Sequence, residues 1–203
     1  YAAQSKEFNL AYTARFEVLP FGKFEKNGDF SESDFVREQS PKLSLALAYS
    51  HNEKAERMRG TLGSYLLTPK DQDVIIADGI FKYKGFAMYG EYATRNCEKP
   101  YTGLLDGVPI YVYIGTGYLI QASYFLSKKF EIAARYAKVI PDNKIEQYKG
   151  ADMNQNITTC FNYYFYDKNV KTQFEITHNT LQNLTNHNKK INWIGRLNFE
   201  LGL

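Results

Sequence analysis

Residues 192–203 read NWIGRLNFELGL, and the polarity of this stretch alternates with a period of two. One parity holds Trp193, Leu197, Phe199, Leu201 and Leu203, and the other holds Asn192, Arg196, Asn198 and Glu200. Successive side chains of a β-strand point to opposite faces, so this alternation indicates a strand. The stretch predicts a strand with one apolar face and one polar, charged face.

The same alternation recurs along the chain and predicts about nine strands. Their approximate ranges are 8–20, 42–52, 74–83, 85–95, 118–126, 130–139, 156–166, 170–178 and 192–203. Connections at 83–85, 126–129 and 167–169 are tight, whereas those at 53–71, 96–117, 141–153 and 180–191 are long and polar. Short turns alternating with long loops are typical of bacterial outer-membrane barrels. We therefore expect an all-β fold, a transmembrane antiparallel β-barrel, as a single domain over residues 1–203.

Composition is compatible with this expectation. The chain has 203 residues, a net charge of +3 at pH 7 and 16% aromatic residues. Its mean hydropathy is −0.46, and no apolar run of about 18 residues is present, which excludes a transmembrane helix. A charge this mild does not point to nucleic acid. The two cysteines, Cys97 and Cys160, form no CxxC pair, and we expect two unpaired thiols.

Aromatic residues lie near both ends of the apolar strand faces. Several are paired six residues apart on one strand, which corresponds to about 20 Å along the strand. Such spacing predicts two girdles that bracket a lipid layer. The predicted lipid-facing girdle residues are Tyr12, Tyr49, Phe86, Tyr92, Tyr118, Tyr124, Phe130, Tyr136, Trp193 and Phe199. The alternative is aromatic placement without order in the core of a Tyr-rich soluble sandwich.

The opposite parity is expected to line a pore. Its bases are Arg15, Lys82, Arg95, Arg135, Lys171 and Arg196, its acids are Glu17, Asp78, Glu91, Glu131, Glu175 and Glu200, and Gln121 accompanies them. Basic rings favour anions and phosphate, so the bases are the candidates for anion contacts. Because each base has an acid nearby on the same face, cross-strand ion pairs are the favoured interpretation. Small inward residues, including Ala46 and Ala48, leave room for water.

Two segments depart from the pattern. Residues 21–41 form a long connection where the alternation predicts a short turn. Residues 104–115, LLDGVPIYVYIG, are unusually apolar for an exposed loop. This loop has three possible places: inside the lumen, in a strand extended above the membrane, or against a neighbouring subunit.

Three stretches resemble the phosphate-selective porin O/P family of Gram-negative outer membranes. They are DGIFKYKGFAMYGEYATR (78–95), GYLIQASYFLSKKFEIAARYAKV (117–139) and NYYFYDKNVKTQFEI (162–176). The resemblance covers most of the chain but corresponds to the C-terminal half of a member. It implies a homotrimer of barrels with about 16 strands each, whose anion-binding constriction draws largely on loops of the N-terminal half.

Strand parity agrees with this partial match. Outer-membrane barrels place both termini in the periplasm and usually have an even number of strands. If the ninth strand ends in the periplasm, counting back places the start of the first strand on the extracellular side. Residues 1–8 would then lie at the end of an extracellular loop. The interpretation is that about seven preceding strands are missing from this sequence. The alternative is a strand count that is wrong by one.

Motifs for chemistry are lacking: the sequence has no G-x-S-x-G, H-E-x-x-H, P-loop or G-x-G-x-x-G. His51, His178 and His187 have no metal-ligand spacing. We therefore expect no catalytic residue, metal or cofactor, and a porin of the bacterial outer membrane that passes small hydrophilic solutes or anions, with phosphate as one candidate. The alternatives are a complete barrel of 8–10 strands with a structural or adhesive role, and a soluble sandwich or lipocalin-like binding module.

Overall fold

The computed structural model describes residues 9–166 and 169–202, whose backbone is mostly β-strand. The strands are β1 (Ala11–Val18), β2 (Lys42–Arg59), β3 (Leu62–Tyr83), β4 (Phe86–Asn96), β5 (Tyr101–Leu105), β6 (Val108–Tyr111), β7 (Gly115–Phe125), β8 (Phe130–Pro141), β9 (Asp152–Tyr166), β10 (Val170–Asn183) and β11 (Lys189–Leu201). A 3-10 helix, Glu25–Phe30, lies between β1 and β2. The all-β expectation is confirmed. The expectations for residues 1–8, for Leu203 and for most of the turn 167–169 lie outside the described residues.

Nine strands form one sheet in the order β1-β2-β3-β4-β7-β8-β9-β10-β11. Each neighbouring pair is antiparallel. Strands β5 and β6 form a separate hairpin inside the connection from β4 to β7, where only a loop was predicted. Within the described residues, β1 pairs only with β2, and β11 pairs only with β10.

The tight turns lie at one end of the sheet, which we call the lower end. Tyr83 pairs with Phe86, so the turn from β3 to β4 contains only Lys84 and Gly85. Their φ angles are 49° and 85°. Positive φ at both central positions is typical of the type I′ turn, whose twist matches that of the flanking strands. The sequence therefore predicted this hairpin correctly.

The upper end differs from the prediction. Strands β2 and β3 continue to Arg59 and Leu62, so most of the predicted loop 53–71 is a long hairpin. Pairing is regular as far as Asn52 and Gln72 and then shifts at three places. Charged residues of both parities fill this region. The period-two signal is therefore lost, although the backbone stays paired.

The two faces of the sheet carry different side chains. Arg15 of β1 lies opposite Ala48 of β2, and Phe16 lies opposite Leu47. We call the face that carries Arg15 the inner face and the face that carries Phe16 the outer face. Exposed large apolar side chains lie mainly on the outer face; Phe16 is 70% exposed and Leu197 is 75% exposed.

Buried residues lie mainly at two places, one of them the lower part of the inner face. Those on the lower inner face are Ser44, Ile80, Lys82, Ala87, Ser123, Phe125, Glu131, Asn162 and Tyr164. The other place is a cluster at the upper end around Ile110, Val112 and Ile114.

None of the helical structure in the described residues is long and apolar enough to cross a membrane.

Candidate functional site

The inner face brings together the polar residues that the sequence assigned to a pore. Pairing places on this face Arg15, Glu17, Asp78, Lys82, Glu91, Arg95, Gln121, Glu131, Arg135, Lys171, Glu175, Arg196 and Glu200. Strand parity was sufficient to group them, because the side-chain period of a strand is two. Their surroundings differ in ways that parity did not reveal.

Arg15 and Asp78 form a bidentate pair across an intervening strand. The guanidinium donates hydrogen bonds of 2.5 and 2.9 Å to the two carboxylate oxygens. Arg15 lies on β1 and Asp78 on β3, with Ala48 and Ala46 of β2 at the matching positions between them. Because these alanines are small, the long arginine side chain can pass over β2. These small inward residues thus make room for an ion pair.

Two further ion pairs join β10 and β11. Lys171 Nζ lies 2.9 Å from Glu200 Oε2, and the Arg196 guanidinium donates a 2.6 Å hydrogen bond to Glu175. Each pair joins residues at directly opposed positions of the two strands. The prediction of cross-strand ion pairs is confirmed for these residues and for Arg15 and Asp78.

The connection between β1 and β2 folds back over the lower inner face, and we call residues 19–41 the inner segment. Lys82 Nζ donates hydrogen bonds to the carbonyl oxygens of Gly28, at 2.6 Å, and Ser33, at 2.7 Å. The Asp34 carboxylate accepts a 2.7 Å hydrogen bond from the backbone N–H of Gly85 in the type I′ turn. The connection at 21–41, which was unusually long in the sequence, therefore covers the lower part of the inner face.

Aromatic packing adds to these hydrogen bonds. The Phe35 ring of the inner segment lies 5.0 Å from the Phe125 ring and 4.8 Å from the Tyr164 ring, measured between centroids. Arg37 also donates a 3.0 Å hydrogen bond to the carbonyl oxygen of Phe125. The inner segment is thus fixed to β3, β7 and β9 by polar and apolar contacts together.

Lys82 and Glu131 are the two predicted pore residues that this arrangement covers most completely. Lys82 is 1% exposed and Glu131 is 0% exposed. Glu131 Oε2 accepts hydrogen bonds from Asn162, at 2.9 Å, and from the Tyr164 hydroxyl, at 2.7 Å. Both charged groups are therefore buried in this structure, and almost none of their surface contacts solvent.

Glu32 is a functional candidate that the sequence did not single out. Its Oε2 atom accepts a 2.7 Å hydrogen bond from Gln121 Nε2 and lies 3.8 Å from an Arg135 guanidinium nitrogen. Arg135 Nε donates in turn to Gln121 Oε1 at 2.7 Å. The inner segment thus places a carboxylate over the one predicted glutamine and a predicted base. No local pattern signals a contact across 89 positions of sequence.

A cavity of about 320 Å³ lies between residues 31–35 of the inner segment and the inner face of β7, β8, β9 and β10, and we call it the inner cleft. Hydroxyl and amide side chains supply much of its lining, including those of Ser31, Ser33, Gln121, Ser123, Thr158 and Asn162. The charged side chains in its wall are Glu32, Arg135, Lys171 and Glu175. All of these belong to the ion pairs described above.

The remaining predicted pore residues lie outside the inner cleft. Glu17 accepts a hydrogen bond from the Ser44 hydroxyl, and Glu91 accepts one of 2.8 Å from the Tyr89 hydroxyl. Arg95 lies near the upper end and lines a smaller cavity with Tyr113. In the described part of the chain no carboxylate comes within 4.0 Å of the Arg95 guanidinium to form an ion pair.

The predicted girdle residues all lie on the outer face and fall into rows. Phe86 pairs with Tyr124, and Tyr92 pairs with Tyr118. On β8 to β11 one row of paired positions near the lower end contains Phe130, Tyr163, Thr172 and Phe199. A second row, six residues closer to the upper end on each of these strands, contains Tyr136, Ile157, His178 and Trp193. Tyr12 and Tyr49 lie on the same face at the β1 side of the sheet. The outer face of β4, β7, β8 and β11 therefore carries two aromatic residues per strand, separated by six positions.

The apolar loop 104–115 packs mainly against its own chain at the upper end. Val112 and Ile114 are fully buried, together with Leu66, Ile145 and Ala151. The β5–β6 hairpin carries this segment, and its tip leaves Leu104 and Leu105 exposed. In this structure the segment forms most of the separate β5–β6 hairpin and the link to β7.

The two cysteines are buried, and two of the three histidines contact neighbouring side chains. Cys97 and Cys160 are free and buried, as expected. His51 Nδ1 lies 2.8 Å from Asp73, and the His178 ring lies 4.8 Å from that of Trp193. Among the described residues no group of three or more His, Cys, Asp or Glu is arranged to hold a metal ion.

Comparison with family models, curated proteins and solved structures found no match, so the resemblance to the phosphate-selective porin O/P family stays a prediction from the stretches quoted above.

Proposed function

We propose that this chain forms the wall of a bacterial outer-membrane β-barrel through which small hydrophilic solutes diffuse passively, without a chemical step. The observation that carries the proposal is the sorting of side chains across the sheet. Apolar residues are exposed on the outer face, while ion pairs and amides lie on the inner face. A soluble sheet protein buries its apolar face, whereas a barrel in lipid turns that face outward.

The outer face supports membrane contact in two further ways. Its exposed apolar residues extend from Phe16 on β1 to Leu201 on β11, and soluble monomers rarely expose contiguous apolar patches above a few hundred Å². On β4, β7, β8 and β11 two aromatic residues lie six positions apart, which corresponds to about 20 Å along a strand. Aromatic girdles flank an apolar band of about this height in outer-membrane barrels.

The sheet edges favour a larger assembly. Within the described residues, β1 and β11 each have one side without a strand partner. Unpaired backbone N–H and C=O groups are costly inside lipid, so both edges need strand partners there. A wider barrel that includes additional strands meets this requirement, and the homotrimer is the assembly that the porin resemblance implies.

The inner face favours general diffusion over strong anion selectivity. Arg15, Lys171, Arg196 and Arg135 each lie within 4.0 Å of a carboxylate, and Lys82 is covered by the inner segment. Selective anion pores use basic rings whose field is not cancelled. Small hydrophilic solutes are therefore the proposed cargo, with phosphate as one member of that group.

Reconstitution tests the proposal. The protein is extracted from outer membranes, its intact mass is measured, and it is added to planar lipid bilayers. We expect stepwise, ohmic conductance and a mass above the 23.4 kDa of this chain. Absence of conductance from a detergent-stable, folded protein would contradict the porin proposal.

One observation favours a second candidate, a complete small barrel with a structural or adhesive role. The inner segment fills the lower inner face, and barrels of about eight strands have interiors filled by side chains. This candidate predicts a mass equal to that of the chain, a monomer whose gel mobility changes on heating, and no conductance. The mass and the bilayer recording together distinguish the two candidates.

A further inference from the structure

We propose that the inner cleft binds a neutral polyhydroxylated solute, of the chemical class of a mono- or disaccharide. The proposal rests on the proposed function, since it names the solute class that the polar inner face retains. It is carried by the charge balance of the cleft wall, by an unpartnered buried hydroxyl and by an aromatic surface at one side.

The cleft has the size of a small-molecule site. Its volume of about 320 Å³ is at the lower end of the range for ligand pockets, about 300–1,000 Å³. The inner segment forms one wall and four adjacent strands form the other. The inner segment is fixed by Lys82 and Asp34, so the cavity is largely preformed.

The charges in the wall are already balanced. Arg135 lies 3.8 Å from Glu32, and Lys171 lies 2.9 Å from Glu200. Glu175 lies 2.6 Å from Arg196. A phosphate ion has to displace a carboxylate from a base, and an organic cation has to displace a base from Glu175. A neutral solute disturbs none of these pairs.

An unsatisfied hydroxyl points to a hydrogen-bonding ligand. Ser123 is 4% exposed, its Oγ atom has no hydrogen-bond partner among the described residues, and its side chain lines the cleft. A buried polar group without a partner is unfavourable. A solute hydroxyl can both donate to and accept from Ser123 Oγ, as it can with the amide group of Gln173 in the same wall.

An aromatic surface completes the match with a sugar. The rings of Phe35 and Tyr164 both line the cleft, with centroids 4.8 Å apart. Ligand sites combine such apolar surfaces with a few well-placed polar groups. The C–H face of a pyranose ring packs on an aromatic ring while its hydroxyls reach the polar wall. A small inorganic anion gains nothing from Phe35.

Ligand-observed NMR on the purified full protein in detergent tests the proposal, with glucose and maltose as neutral probes and inorganic phosphate as the anion. We expect saturable binding of a saccharide that phosphate does not displace. Ser123→Ala should weaken binding about threefold to tenfold, the loss expected for one hydrogen bond. Ala133→Leu should abolish it, because Ala133 lines the cleft beside Ser123, at the paired position of the neighbouring strand. Ser50→Ala is the matched control, an inner-face serine bonded to Thr13 outside the cleft.

Conductance of the same preparations separates this proposal from the proposed function. Conducting protein that binds neither saccharide overturns the cleft proposal alone, and so does displacement of the saccharide by phosphate. Saccharide binding by protein that does not conduct supports the cleft and overturns the porin proposal. Circular dichroism of each variant tests whether Ala133→Leu is folded. If this variant is unfolded, the result for Ser123→Ala decides.

Discussion

The ammonium group of Lys82 lies 2.6 Å from the carbonyl oxygen of Gly28, to which it donates a hydrogen bond. This contact joins the sheet to a segment 54 positions earlier in sequence. Lys82, which strand parity places on the inner face, therefore fixes the inner segment over that face.

Replacing Lys82 should release the inner segment. In Lys82→Met the carbonyl oxygens of Gly28 and Ser33 lose their donor, and we expect a loss of about 1–3 kcal/mol in the free energy of unfolding. We also expect larger single-channel conductance and protease cleavage within 19–41. Lys128→Met, at an exposed lysine of a lower turn, is the control. Equal conductance and protease resistance in both variants would contradict the covering role.

Glu32 and Arg135 should shift ion selectivity in opposite directions. In Glu32→Gln, Arg135 loses its neutralising carboxylate, so the permeability ratio of anions to cations should rise. In Arg135→Gln the ratio should fall, and it should fall further when Arg196 is also neutralised. Reversal potentials across a salt gradient measure the ratio. Identical reversal potentials in all variants would remove these residues from the selectivity pathway.

The Arg15–Asp78 pair should contribute modestly to stability. Arg15 is 45% exposed at its side chain, so solvent screens the pair, and a coupling of about 0.5–1 kcal/mol is expected. A double-mutant cycle with Arg15→Ala and Asp78→Ala, followed by urea unfolding in detergent, isolates this coupling. A coupling above about 2 kcal/mol would indicate that the pair is shielded from water.

Neighbouring positions on β11 should respond oppositely to a charge. Leu197 lies on the outer face and Asn198 on the inner face, and both are exposed. Leu197→Arg should impair membrane insertion by about 2–4 kcal/mol, the cost of an arginine near the middle of the bilayer. Asn198→Arg should insert normally. Flotation of the two variants with liposomes makes the comparison, and equal flotation would contradict a lipid-facing outer surface.

Cys97 should react slowly with thiol reagents in the folded protein. Burial in the upper apolar cluster raises the pKa of the Cys97 thiol above its usual value, and the thiolate is the reactive form. Its alkylation rate should therefore be low at pH 7 and should increase only at a higher pH than for an exposed thiol. A Cys160→Ser background isolates the signal, and denaturant should restore normal reactivity. A rate like that of a free thiol in the native state would show that the cluster opens.

The sequence predicted well which face of the sheet each strand residue lies on. Arg15, Glu175 and Arg196 could be assigned to one face because strand side chains alternate without regard to tertiary context. The upper half of the β2–β3 hairpin was missed, since its charges fall on both parities. Its strand character comes from backbone pairing across shifted registers.

The inner cleft could not be predicted in the same way. The length of 21–41 was visible as an anomaly, but its destination depends on contacts such as Glu32 with Gln121 and Arg37 with Phe125. Those contacts join distant parts of the sequence, and no local pattern encodes them. The same distance explains why Lys82 was predicted as an open pore residue and is instead covered.

The position of the inner segment also sets an order for folding. Its partners Gln121, Phe125 and Tyr164 belong to strands that come much later in the chain, whereas the β3–β4 hairpin closes through two residues. Closing long stretches of chain costs more entropy, so such contacts form after local ones. We expect the lower inner face to stay hydrated until β7, β8 and β9 have paired. We therefore expect the packing of Phe35 against Phe125 and Tyr164 to be a late step of folding.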